Sequence, residues 1–228
     1  MKNKDNDIIE TLAYKATLKE KVYNKTWEMF KELKLIAEGI AIETKTAVNK
    51  HNKNIKVEYR DKGEFEAELR MAGDLLFMSM HTNVFEFPRS HDVMNTSYIK
   101  DDKDRSYCGI IHFYNFLNDS IKYNRLNDSG YLIARLFINK EGHFFVEGKR
   151  EVGYFYNFFS EGELTHNKLK DILQCTLLYC INFDLLTPPY DLVKETNVQE
   201  IVDNNNYLKI KTGKRLGFRF QADIEEKK

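Results

Sequence analysis

The chain reads as an α+β protein: an antiparallel β-sheet of about six to eight strands, a long N-terminal helix, and one or two C-terminal helices. Three observations predict it. Apolar residues recur at helical spacing through residues 5–49. Between residues 55 and 150 the pattern switches to short runs of β-branched and aromatic residues, punctuated by glycine-bearing turns. These runs are not separated by regularly alternating helices, so a doubly wound fold is excluded. A single domain over residues 1–228 accommodates the whole: a long amphipathic helix over 1–49, mainly antiparallel strands over 50–160, helical segments over 161–206, and a C-terminal hairpin over 207–221.

In the first segment Ile9, Leu12, Ala16, Tyr23, Phe30, Leu33, Ala37 and Ile40 fall on one stripe, widened by Trp27, Met29 and Ile36. Asn6 or Asp7 would cap the start. Such a helix either pairs with another copy or a partner as a coiled coil, or lies across the sheet of its own domain. Lys19 and Thr26 interrupt the stripe and argue against a long coiled coil.

Ile55–Tyr59, Glu64–Met71, Leu75–Phe87 and Ser106–Leu117 read as strands, with turns at Lys62-Gly63 and Ala72-Gly73-Asp74. Phe65, Ala67, Leu69 and Met71 alternate with Glu64, Glu66, Glu68 and Arg70, as in a half-exposed antiparallel strand. The sharpest signal is Tyr131–Arg150. Asn139-Lys140-Glu141-Gly142 supplies a turn with glycine at its left-handed position. That turn sets Asn139 opposite His143, Ile138 opposite Phe144, Leu136 opposite Val146, and Arg135 opposite Glu147. One face then carries Leu132, Ala134, Leu136, Ile138, Phe144 and Val146; the other carries Tyr131, Ile133, Arg135, Phe137, Phe145, Glu147 and Lys149.

A helix follows over Leu164–Leu186, capped by Thr165, with Leu169, Ile172, Leu173, Thr176, Leu177, Cys180, Ile181 and Asp184 inward. A last helix starts near Pro189 and runs to about Asp203, before a hairpin over Tyr207–Phe220.

Composition narrows the function classes. Lys plus Arg and Asp plus Glu number 35 each, so net charge is zero. A protein that grips nucleic acid over its whole surface is usually basic, so nucleic acid or nucleotide is not the favoured partner. Three cysteines without a short metal-ligand pair fit a reducing compartment. No run reaches the roughly 20 apolar residues that span a bilayer, and MKNKDNDIIE holds no apolar stretch suited to a signal peptide. The expected location is the cytoplasm, away from membranes.

Three functional readings compete. Glu147-Gly148-Lys149, ending an apolar strand, resembles the Glu-x-Lys of Mg²⁺-dependent nucleases, with Asp128 as the further acid and Mg²⁺ as cofactor. The strand register opposes it: Asp128 falls seven residues along from Glu147, and Arg135 faces Glu147 instead. His81, Glu86 and His91 are residue types zinc accepts, but an extended strand sends His81 and Glu86 to opposite faces, so no metal site is expected. Lys209, Lys211, Lys214, Arg215 and Arg219 form the densest basic patch and suit a sensor of a small anionic ligand such as a nucleotide or phosphate; edge protection would explain them equally. The polar stretch from His91 to Arg105 reads as a loop with a functional surface. The Phe113-Tyr114-Asn115-Phe116 tetrapeptide recurs at 155–158 and could stack bases, though a Phe-rich core explains it better. The reading that fits best is a non-catalytic intracellular binding or assembly protein that self-associates through its N-terminal helix and needs no cofactor. Its partner is another copy or a different protein.

Overall fold

A computed structural model describes residues 4–126, 128–149, 151–154, 159, 162–187, 189–196 and 198. Helix α1 (Lys4–Val48) leads into strands β1 (Val57–Asp61), β2 (Glu66–Met71), β3 (Asp74–Met80) and the short β4 (Phe85–Glu86). Helix α2 (Ser97–Asp101) precedes β5 (Tyr107–Leu117), and α3 (Asn118–Lys122) follows it. The hairpin β6 (Tyr131–Asn139) and β7 (Phe144–Gly148) comes next, then the helical turn α4 (Glu151–Tyr154), helix α5 (His166–Ile181) and the single turn α6 (Tyr190–Val193). The seven strands form one antiparallel sheet in the order β1-β2-β3-β5-β6-β7, with β4 pairing β5 beyond the end of β3. This is the α+β arrangement that the sequence predicts. The predicted hairpin at 207–221 lies outside the described residues, as do residues 197 and 199–203 of the predicted last helix; the described part of that helix is broken, with a single turn at Tyr190–Val193 followed by non-helical residues 194–196.

Both long helices cover one face of the sheet. Their inward residues Phe30, Leu33, Ala37, Leu169, Ile172 and Leu173 meet Leu69, Met78, Ile111, Phe113, Leu136 and Phe144 in a continuous core. At roughly 1.5–3 kcal/mol per buried large apolar side chain, this layer supplies most of the driving force for folding. Helix α1 crosses β5 where Gly109 allows it: a Cβ there would meet Thr26 Cβ and Cγ2 at 2.8 Å. Lys34 ties the helix to the β1–β2 turn through Asp61 at 2.9 Å and the Gly63 carbonyl. Helix α5 begins two residues into the predicted segment and ends at Ile181, five residues before its predicted end. Thr165 Oγ1 accepts from the Lys168 N–H at 3.4 Å, the cap that sequence predicts. Ile181 and Asp184, expected inward, are exposed at and beyond the end of the helix.

Among the described residues, the other face is covered only at one end. Val93, Ile99 and Phe159 pack on Cys108, Ile110, Phe137 and Phe145, with Phe87, Met94 and Tyr98 around them. The predicted loop from His91 to Arg105 is therefore a lid of short helical turns. Part of its polar surface is tied to the β6–β7 turn: Arg105 Nε donates to Glu141 at 3.0 Å, the Tyr98 hydroxyl donates to Glu141 at 2.7 Å, and Lys140 pairs with Asp102 at 2.6 Å.

Two strand details depart from the sequence pattern. The β6–β7 register holds as predicted, with Arg135 opposite Glu147 and Ile138 opposite Phe144. On its other edge, however, β6 carries a bulge against β5: Phe113 faces Ala134, but Tyr114 faces Leu132. The extra residue, Ile133, turns into the helix-covered core, and Leu132 moves to the opposite face. The predicted strand Leu75–Phe87 also breaks after Met80, and residues 81–84 form a loop that resets its alternation.

Candidate functional site

The structure separates the residues of the Glu-x-Lys reading. Glu147 stands on the half-open face, where Arg135 Nε donates to it at 2.8 Å and a second guanidinium nitrogen closes the pair. Asp128 lies in the segment after α3. It accepts from Ser120 Oγ at 2.7 Å and faces Arg125 at 3.5 Å, with its side chain 2% exposed. Lys149 follows the end of β7, its N–H bonded to the Ile133 carbonyl at 2.9 Å. The two carboxylates serve different ion pairs, and a guanidinium occupies the place beside Glu147 that Mg²⁺ would need. Among the described residues no cluster of three or more His, Cys, Asp or Glu is arranged to hold a metal ion. Lys209, Lys211, Lys214, Arg215 and Arg219 lie outside the described residues. Of the first aromatic tetrapeptide, Phe113 is core and Phe116 packs beneath Gly130, leaving Tyr114 stacked on His112 at 5.8 Å.

The surface that the fold leaves unsatisfied is the start of α1. Its burial begins at Leu18, which packs with Val22 and Tyr107; residues 4–13 are exposed on every side. Ile8, Ile9 and Leu12 are 63%, 64% and 66% exposed. Ten residues of helix extend about 15 Å, so this is a projecting rod rather than a frayed turn. Its root is clamped to the domain. The Tyr14 hydroxyl donates to Asp104, which pushes the phenol up to about 12, and the Lys15 ammonium donates to the Tyr107 hydroxyl.

Charge divides along the same helix. Residues 4–13 hold Lys4 against Asp5, Asp7 and Glu10, whereas residues 14–25 hold Lys15, Lys19, Lys21 and Lys25 against Glu20. The tip is net −2 and the root net +3 by this count. Acids in the first turn also suit the positive end of the helix dipole. Beside the root, Lys19, Glu20 and Tyr23 line an open groove with Thr82, Asn83 and Val84. The amphipathic period alone signals Ile9 and Leu12. It misses Ile8, and it cannot show where the domain stops covering the stripe.

No protein-family model, curated protein or solved structure matches the chain. Among the described residues no helix is long and apolar enough to cross a membrane.

Proposed function

We propose that this chain is a non-catalytic cytoplasmic binding and assembly protein that pairs with a second copy of itself through residues 4–13 of α1, the two helices running antiparallel. The observation that carries this reading is the clamped, projecting helix with Ile8, Ile9 and Leu12 uncovered. Charge selects the direction. An antiparallel pair lays the acidic tip of each copy along the basic root of the other, whereas a parallel pair sets tip on tip and root on root. Lys19, which spoils a parallel seam, becomes complementary in the antiparallel one. Laid tip on root, residues 4–13 of each copy also meet the other's root as far as Lys19, so the contact runs over about 16 residues of helix, about 24 Å. Its area falls toward or below the roughly 800 Å² per partner of a standard interface, so the dimer is reversible with a micromolar dissociation constant. The cytoplasmic placement rests on the odd number of cysteines and the lack of a disulfide-type spacing.

Sedimentation equilibrium of the full chain, from about 1 to about 200 μM, tests this. The native protein is expected to move from monomer to dimer across that range, and Leu12→Glu to stay monomeric with an unchanged circular dichroism spectrum. Reversing the tip (Asp5→Lys with Asp7→Lys) or the root (Lys19→Glu with Lys21→Glu) weakens the dimer, and combining the reversals restores it. A native chain that stays monomeric throughout, or a Leu12→Glu dimer as tight as the native one, sinks the proposal. Deleting the whole of α1 is no test, because Leu18 to Ala41 form part of the core.

A further inference from the structure

On the face away from α1 and α5, next to the lid, lies a cleft of about 440 Å³, within the usual size range of small-molecule sites. Its floor is apolar: Cys108, Ile110 and Phe137 from β5 and β6, with Phe87 laid against Phe137 at 4.9 Å between ring centroids. Phe85 stands at its mouth, 39% exposed. Its polar lining is His81, His91, His112, Arg135, Glu86 and Glu147.

The histidines look like a metal set, but their hydrogen bonds say otherwise. His81 Nδ1 accepts the Asn83 N–H at 3.0 Å, and His91 Nδ1 accepts the Val93 N–H at 3.2 Å. A neutral ring whose Nδ1 accepts must carry its proton on Nε2. A metal on Nε2 would want the reverse, a protonated Nδ1 donating to a carbonyl or carboxylate. Each ring therefore offers a ligand an Nε2–H donor. Arg135 adds guanidinium donors above the floor, its Cζ 5.3 Å from the centre of the Phe137 ring. Two carboxylates oppose them. Lys15 of α1, held protonated first by its hydrogen bond to Tyr107 and to a lesser degree by the field of Glu86, lies on the Glu86 side, and Glu147 pairs with Arg135. The Arg135–Glu147 pair stands on the rim, with side chains 37% and 50% exposed, so Glu147 can be exchanged for another carboxylate at little cost.

An aromatic floor with a guanidinium and two imidazole N–H donors in its lining calls for a flat apolar body with an acceptor-rich, negatively charged end. We propose that this cleft binds a small planar aromatic carboxylate, its ring on Phe87 and Phe137 and its carboxylate on Arg135 in place of Glu147. The proposal does not rest on the pairing of α1, and either stands if the other fails.

The test is titration calorimetry of the full chain with cinnamate and with its uncharged counterpart, cinnamyl alcohol. Cinnamate is expected to bind with a dissociation constant of about 100 μM and at least about tenfold more tightly than the alcohol. Arg135→Gln should abolish that preference while leaving the alcohol's binding within about twofold, which also reports that the cleft is still folded. Glu147→Gln removes the competing carboxylate and should tighten cinnamate about threefold. Absence of cinnamate binding at about 2 mM, equal binding of acid and alcohol, or a preference that survives Arg135→Gln overturns the assignment.

Discussion

Replacing Gly109 with Ala tests the helix crossing on which the fold depends. The new methyl carbon would sit 2.8 Å from both Thr26 Cβ and Cγ2, and nearer still to Oγ1. Thr26 has no easy retreat: it is fully buried, and Oγ1 donates to the Val22 carbonyl at 2.8 Å. Overpacking of this kind costs about 1–3 kcal/mol, and turning the hydroxyl away loses a hydrogen bond worth about 1 kcal/mol. The expected loss is about 3 kcal/mol, read as a shift in the urea midpoint at constant slope. In a chain of this size that corresponds to a Tm lower by about 6–12 °C. Thr26→Ala removes the hydroxyl and methyl that collide, so the double variant should recover at least about 1 kcal/mol relative to additive costs. A Gly109→Ala cost under about 0.5 kcal/mol, or strictly additive costs, would refute the crossing of α1 over β5.

Two further outcomes follow from one half-buried and one buried titratable group. Burial, then the Arg135 guanidinium and the His81 ring, hold the His112 imidazole below its ordinary value. The folded protein therefore binds this proton less readily than the unfolded chain does. Its stability contribution is full above about pH 6.5 and is lost as pH falls from there through the folded value. Urea midpoints at about pH 7.5 and about pH 5.5 should differ less in His112→Gln than in the native protein; equal differences would contradict the half-buried setting of His112 beside Arg135. Burial also pushes the Cys108 thiol well up and leaves it 1% exposed. In iodoacetamide labelling read by peptide mass, Cys108 should react only on unfolding; rapid labelling in native buffer would place it elsewhere.

The α+β architecture, the β6–β7 register and the Thr165 cap were legible because each is set within a few residues. Gly142 fixes the turn, alternation fixes the faces, and Thr165 needs only the Lys168 N–H beside it. The bulge at Ile133 was not legible, since it exists only against β5, and it sends Ile133 and Leu132 to faces opposite those that strict alternation assigns. The break at 81–84 has the same character. It brings His81, Glu86 and His91 onto one cleft, although counting along a single strand separates His81 from Glu86.

By itself, the sequence determined the two long helices and most of the strands, how one hairpin registers, and that Arg135 meets Glu147. Tertiary structure alone decided which stretch of the α1 stripe the sheet consumes and which it leaves projecting, and it gathered the cleft from β4, β5, β6, β7 and the lid. The physical reason is range. Periodicity, turns and caps are written in neighbouring residues, whereas a surface or a cleft is defined by what packs against it, and those partners lie tens of residues away.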